Sequence, residues 1–272
     1  MTAKVTRRDG PSGRFYEVDG ELYPSVTHIL TAINKPALVP WAAKVEREAC
    51  TAAAAALYEE LDTTGQKFPA SWYLTELHAR LGTVKAHQRT MEKAGDIGTQ
   101  AHKAIEWIMR TAIGAQAGPE PYITAPALVA VQAFRAWAAS VRLKPVLIER
   151  IVYSKTRRYA GTLDLLARVD GVLTMVDFKT GKAIYGESHL QAAAYSAALE
   201  EMGYLEPVRS LVVRLRKDET DPTPFEPVDV PARAELLPVF LATRALWEWT
   251  YANEQAFRAR QRKPAAARQA VA

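Results

Sequence analysis

Residues 160–182 read AGTLDLLARVDGVLTMVDFKTGK, and the way this stretch pairs with itself decides the fold. Asp170-Gly171 is the dipeptide of a two-residue hairpin turn, whose central positions both need positive φ. Counting outward, Val169 faces Val172 and Arg168 faces Leu173. The series continues until Asp164 stands opposite Asp177 and Thr162 opposite Lys179. Side chains alternate along each strand. One face therefore carries Asp164, Asp177 and Lys179 among Leu166, Leu173 and Met175, while the other, from Leu163 to Phe178, is almost wholly apolar.

Directly opposed residues have Cβ atoms about 4.5–5.5 Å apart, and like charges there are destabilising. Partial burial adds a desolvation cost. A hard divalent cation such as Mg²⁺ offsets both, because it takes carboxylate oxygens as ligands while keeping several waters. Lys179 shares the face and could hold an attacking water or stabilise charge developing on a phosphate. The other readings are a proton shared between the carboxylates or a salt bridge from Lys179 to both. A bulge of one residue would undo the opposition.

The chain has 272 residues, 49% apolar and 24% charged, with a net charge of +5. That composition supports a sizeable core and suits a polyanionic partner. The single cysteine, Cys50, excludes a disulfide framework within the chain, a thiolate zinc site and a four-cysteine iron–sulfur cluster. There is no run of 18 apolar residues, so no membrane span is expected. The opening MTAKVTRRDGPSGR lacks the apolar core of a secretory signal, and the expectation is a cytoplasmic protein.

Upstream, residues 15–26 alternate around Asp19-Gly20 and predict a second hairpin. Helices are predicted over residues 41–61, 71–93 (with a weak point at Gly82), 96–113 and 127–142. After Pro145 a strand is expected over 146–153, followed by the hairpin. Then come a helix over 187–202 stopped by Gly203, a strand over 208–216, an edge strand over 225–230, and a long helix over 232–258 interrupted near Pro238. The expected fold is α/β (α+β): a mixed central sheet flanked by helices, preceded by a mostly helical region. The expected division is residues 1–142 as a hairpin and helical region covering the site, 143–258 as the core with the C-terminal helix, and 259–272 as a disordered basic tail.

Gly161-Thr162-Leu163-Asp164 followed by Val176-Asp177-Phe178-Lys179 resembles the PD-(D/E)XK nuclease core. Gln191 and Tyr195 in QAAAY resemble the QxxxY motif of the RecB-type exonuclease branch, and GTQAHKAIE, residues 98–106, resembles the upstream helix that supplies a histidine there. YPSVTHIL, residues 23–30, is similar to a segment of the mitochondrial genome maintenance exonuclease and its phage relatives. The resemblance implies a restriction-endonuclease-like core and phosphodiester hydrolysis with Mg²⁺ or Mn²⁺. By position it makes Asp164 and Asp177 metal ligands, with the backbone carbonyl of Phe178 as a further ligand and Lys179 as the catalytic lysine. His102 becomes a metal ligand or a neighbour of the metal, and Gln191 and Tyr195 border the site and help place DNA. Some relatives carry a cysteine-ligated iron–sulfur cluster, which this chain cannot.

Glu106 lies one helical turn beyond His102 and shares its face. Glu149, in the strand VLIERIVY, either touches the site or pairs with a core arginine. Lys155, Arg157, Arg158 and Tyr159 form a basic loop that could track a phosphate backbone, with Tyr159 stacking on a base, or could simply be solvated. The functional expectation is a DNA exonuclease acting on single strands or free ends, bacterial or phage-encoded, in DNA repair, recombination or phage DNA processing. Protein partners are not specified. The alternatives are an endonuclease on the same core, restriction-like or junction-resolving, a non-cleaving DNA-binding accessory protein, and a hydrolase for a small phosphate ester.

Overall fold

In the computed structural model the described residues are 4–11, 13–204 and 209–262, without the side chains of 259–262. By contacts the chain divides into two compact units, residues 34–99 and residues 1–33 together with 100–272.

The larger unit is built on a five-stranded mixed sheet of order β4-β5-β6-β7-β8. Its strands are β4 (Leu143–Ser154), β5 (Tyr159–Val169), β6 (Val172–Lys179), β7 (Arg209–Leu215) and β8 (Phe225–Asp229). The β5–β6 hairpin has the expected register, from Val169↔Val172 to Leu165↔Val176. Its turn residues Asp170 and Gly171 sit at φ 52° and 91°, the paired left-handed conformation that Asp-Gly tolerates. β6 and β7 run parallel, joined through helix α6 (Gly186–Glu201), since parallel neighbours need a crossover. Gly203, at φ 80°, ends α6 as expected, and the Tyr204 amide bonds back to the Leu199 carbonyl. β8 is an edge strand interrupted by Pro227, which an edge allows.

Two cores flank this sheet. On one side Leu166, Leu173 and Met175 pack with α6, with the short helix α1 (Val26–Ile29), and with Phe240 and Trp247 of helix α7 (Arg233–Arg262). On the other, Leu165, Val176 and Phe178 pack with Phe134 and Trp137 of α5 (Ala125–Ser140) and with Ala101, Ile105 and Met109 of α4 (Ala86–Ala112). A three-stranded meander, β1 (Val5–Gly10), β2 (Gly13–Val18) and β3 (Glu21–Pro24), turns at Asp19-Gly20. It buries Tyr16, Val18 and Tyr23 against Ala160.

The smaller unit contains α2 (Leu38–Thr64), α3 (Ala70–Leu81) and the first turns of α4. Arg80 grips Glu60 with two hydrogen bonds of 2.6 and 2.9 Å, and the Tyr73 hydroxyl donates to the Ala54 carbonyl. Glu46 takes both the amide and the ring nitrogen of His87.

Some boundaries differ from the pattern reading. The helix expected to break between residues 93 and 96 breaks instead at Gly82, whose φ of 69° leaves the helical region, and α4 then runs unbroken through Gly95 and Gly98. A helix interior accepts glycine at a cost of about 1 kcal/mol, so glycine alone does not end one. α7 likewise continues through Pro238 in its second turn, where one backbone bond is lost, and reaches Arg262. The tail expected from residue 259 therefore begins as helix, and residues 263–272 lie outside the described residues. Among the described residues no helix is long and apolar enough to cross a membrane.

Candidate active site

Past Leu165↔Val176 the next rung of the hairpin would set Asp164 against Asp177. The regular ladder stops at this point, and a side chain continues it: Asp164 Oδ2 accepts the backbone N–H of Phe178 at 2.7 Å. Asp164 is 8% exposed and Asp177 only 1%. Neither carboxylate oxygen of Asp177 accepts a hydrogen bond. Lys179 Nζ forms an ion pair with Asp177 Oδ2 at 2.7 Å and donates to Gln191 Oε1 at 2.9 Å. Gln191 Nε2 donates in turn to the Tyr195 hydroxyl at 3.2 Å.

That chain of contacts explains Gly161. A Cβ on Gly161 would fall 2.5 Å from the Tyr195 ring and 2.8 Å from its hydroxyl, so the ring can rest on β5 only where no side chain intervenes. The glycine of Gly-Thr-Leu-Asp and the tyrosine of QxxxY are thus two halves of one packing contact. Next to it, Thr162 shares a 2.9 Å hydrogen bond with the hydroxyl of the buried Tyr16 on β2. No sequence signal announces this contact across 146 positions.

α4 brings His102 to the same place. Its Nδ1 is 3.5 Å from Asp164 Oδ1 and 3.9 Å from Glu149 Oε1, and one ligand atom from each of the three lies within 4.8 Å of the others. Glu149 occupies the β4 position opposite Asp164, because Ile148 pairs with Leu165 and Arg150 with Leu163. It holds φ 46°, a left-handed conformation that costs a non-glycine residue on the order of 1 kcal/mol or more. Of the two readings open for Glu149, pairing with a core arginine is not seen among the described residues, and its carboxylate lies beside His102. Glu106 bonds to Arg110 at 2.8 Å, and Arg110 also reaches the Ile148 carbonyl, which ties Glu106 to the strand beside Glu149.

The charges are mutually dependent. Burial opposes a charge on His102, but Asp164 and Glu149 outweigh it and push the imidazole up to about 10. Burial raises Asp164, yet His102, Lys179 and the Phe178 amide hold it below the ordinary carboxylate range. Asp177 moves the other way, to about 6, because burial and Asp164 outweigh Lys179. Glu149 is pushed up to about 7, chiefly by burial. Lys179, despite burial, is held above its usual value by Asp177 and Asp164.

Asp177 has only Lys179 beside it, and a fully buried carboxylate served by one ammonium is costly unless something else helps to satisfy it. The nearby donors are hard carboxylate oxygens and one imidazole, with no thiolate, which suits Mg²⁺ or Mn²⁺. Ligands of one octahedral ion stand about 3–4 Å apart, the scale of the His102–Asp164–Glu149 separations. The residues present fit a divalent cation.

The basic loop behaves differently. Lys155 is paired with Asp19, Arg157 with Glu201 and Arg158 with Glu21. The loop lies on the order of 15–20 Å of strand from Asp164, at about 3.3 Å per residue. Tyr159 is fully buried, its hydroxyl bonded to the Ala194 carbonyl and its ring edge-on to Phe240. It is a core residue, so the expectation that it stacks on a base is corrected.

No curated protein matches the chain. Sixteen chains of known structure do. One of them, a crystal structure of SSO0001, is 13% identical over 44% of this chain and 58% of its own, with a TM-score of 0.27. The chain spans less than two thirds of that protein. The family model of the PD-(D/E)XK nuclease superfamily matches residues 63–269. That span covers more than half of the chain and takes in every site residue from His102 to Tyr195, and the chain belongs to the PD-(D/E)XK nuclease superfamily.

Proposed function

We propose that the protein is a divalent-metal-dependent DNA exonuclease of the RecB-type branch, acting on single strands or DNA ends in repair, recombination or phage DNA processing. The observation that carries this reading is the continuous contact from Asp177 through Lys179 and Gln191 to Tyr195, with His102 beside Asp164. It joins the helix carrying Gln191 and Tyr195 and the helix carrying His102 to the aspartate pair, and the motifs on those two helices are what the resemblance to the branch rests on.

When bound, the cation polarises the phosphodiester and lowers the pKa of a water. Asp164 and Asp177, with Glu149 and His102 beside them, would hold it. Lys179, steadied by Gln191, points a fixed positive charge at the place where negative charge develops on the phosphate. The test is incubation of linear and circular single-stranded DNA of one sequence, with and without Mg²⁺ or Mn²⁺. Linear DNA should shorten only with metal while the circle survives. Rapid cutting of the circle would replace this reading with an endonuclease, and cutting of neither would remove it.

A further inference from the structure

Two lysines stand where β6 and β7 leave the sheet. Lys179 pairs with Arg214 across the parallel ladder, so Lys182 and Lys217 are each three residues past the same rung. The C-terminal ends of parallel strands are where open α/β sheets place their ligands. The basic residues around them are committed. Arg214 bonds Asp221 at 2.6 Å and Glu226 at 2.9 Å, and Arg216 donates to the Asp221 carbonyl at 2.7 Å.

Lys182 and Lys217 are not. Among the described residues neither has a carboxylate within ion-pair distance. Lys182 is exposed and Lys217 half-buried. Burial and the neighbouring Lys182 charge both push Lys217 below its ordinary range. Asp218 also feels Lys182; its Oδ1 accepts both the Thr220 amide and hydroxyl, and it is not within ion-pair distance of either lysine. Two lysines at the ends of adjacent parallel strands, one of them half-buried and neither ion-paired, form an arrangement that an anion relieves and that water serves poorly.

We propose that Lys182 and Lys217 form a phosphate subsite for the nucleic-acid strand next to the catalytic centre. The inference rests on the nuclease reading. Three residues of chain reach at most about 10 Å. At about 3.4 Å of rise per charge along one strand, the bound phosphate is within about three nucleotides of the one beside Lys179. The subsite contributes to holding and aligning the strand. It has no part in bond cleavage.

The test is binding of a fluorescent single-stranded oligonucleotide, by anisotropy in EDTA across a salt series. It compares the wild type with Lys182→Met/Lys217→Met, which keeps the apolar stems, and with a charge-matched control, Arg142→Ala/Lys144→Ala. Each lost phosphate contact lowers the slope of log K against log salt by about 0.7 on single strands. The lysine pair should therefore lower it by about 1.4 and the control by much less. With Mg²⁺ present, KM should rise while kcat holds. A slope equal to wild type, or the same change in the control, overturns the subsite and leaves the nuclease reading intact. A wild-type protein that neither binds nor cuts any nucleic acid overturns the nuclease reading and this inference with it.

Discussion

Replacing Asp177 with asparagine should make the metal-free protein more stable. Asp177 is 1% exposed, no hydrogen bond reaches either of its oxygens, and its pKa is raised from 3.8 to about 6. Because the folded value lies above the unfolded one, the ionised form destabilises the fold. The penalty is absent below pH 3.8, grows as the pH rises to about 6, and is constant above it. At 1.36 kcal/mol per unit it reaches about 3 kcal/mol at pH 7. An asparagine amide in the same place still lacks partners, at a cost of about 1–2 kcal/mol, which leaves a net gain of about 1–2 kcal/mol. For a chain of this size that is on the order of 2–8 °C in Tm. Divalent metal should reverse the order, since a ligand that binds only the folded state stabilises it by mass action. The wild type should then gain Tm with Mn²⁺ or Mg²⁺, and Asp177→Asn should gain little. The assay is thermal denaturation by circular dichroism in EDTA and in metal, at pH 7 and again near pH 4, where the ionisation penalty is nearly gone and the variant should lose its metal-free advantage and become slightly the less stable of the two. A variant less stable than wild type in EDTA at pH 7, or one that gains as much from metal, would refute the reasoning.

Lys179→Ala should lower kcat on the order of 100-fold or more while leaving DNA affinity almost unchanged; equal losses in both would make Lys179 a binding contact only. Gly161→Ala should push the Tyr195 ring off β5, at a cost of about 1–3 kcal/mol by denaturant titration, together with a fall in kcat as the Gln191–Lys179 contact loosens; a neutral result would show that the ring moves freely. His102→Ala should impair cleavage and metal-induced stabilisation more than Glu106→Ala does, because His102 sits 3.5 Å from Asp164 while Glu106 is held by Arg110. Parity between the two would remove His102 from the metal site.

The hairpin was readable in the sequence because its turn is local chemistry. Asp170-Gly171 sets the register, and strict alternation carries that register outward to Leu165↔Val176. The count weakens at Asp164, where the carboxylate takes the Phe178 amide and the neighbours Leu163 and Leu165 enter different cores. Helix–helix breaks were less legible, since Gly82, Gly95 and Gly98 look alike in sequence and only Gly82 adopts a left-handed φ. Tyr159 was misread because its basic neighbours suggested a surface loop, whereas Tyr159 is the first residue of β5 and its ring turns inward. Glu149 was visible as a charge inside an apolar strand, but its approach to His102 depends on a backbone conformation that no residue pattern encodes.

Departures from ordinary packing converge at one end of the sheet, and each is costly in isolation. Glu149 is held left-handed, Asp177 is buried with only the Lys179 ammonium beside its carboxylate, and Gly161 gives up a side chain so that Tyr195 can lie on it. A core selected for stability alone would place a leucine or valine at each, as the same strands do at Leu165, Leu166 and Val176. Local rules broken together at one place, while the rest of the sheet obeys them, are the physical signature of a functional site. Here the broken rules share one remedy. A divalent cation would offset the burial of Asp177 and its repulsion with Asp164 and would give the constrained Glu149 carboxylate a partner, whereas a shared proton would neutralise one carboxylate and leave the Glu149 strain without purpose.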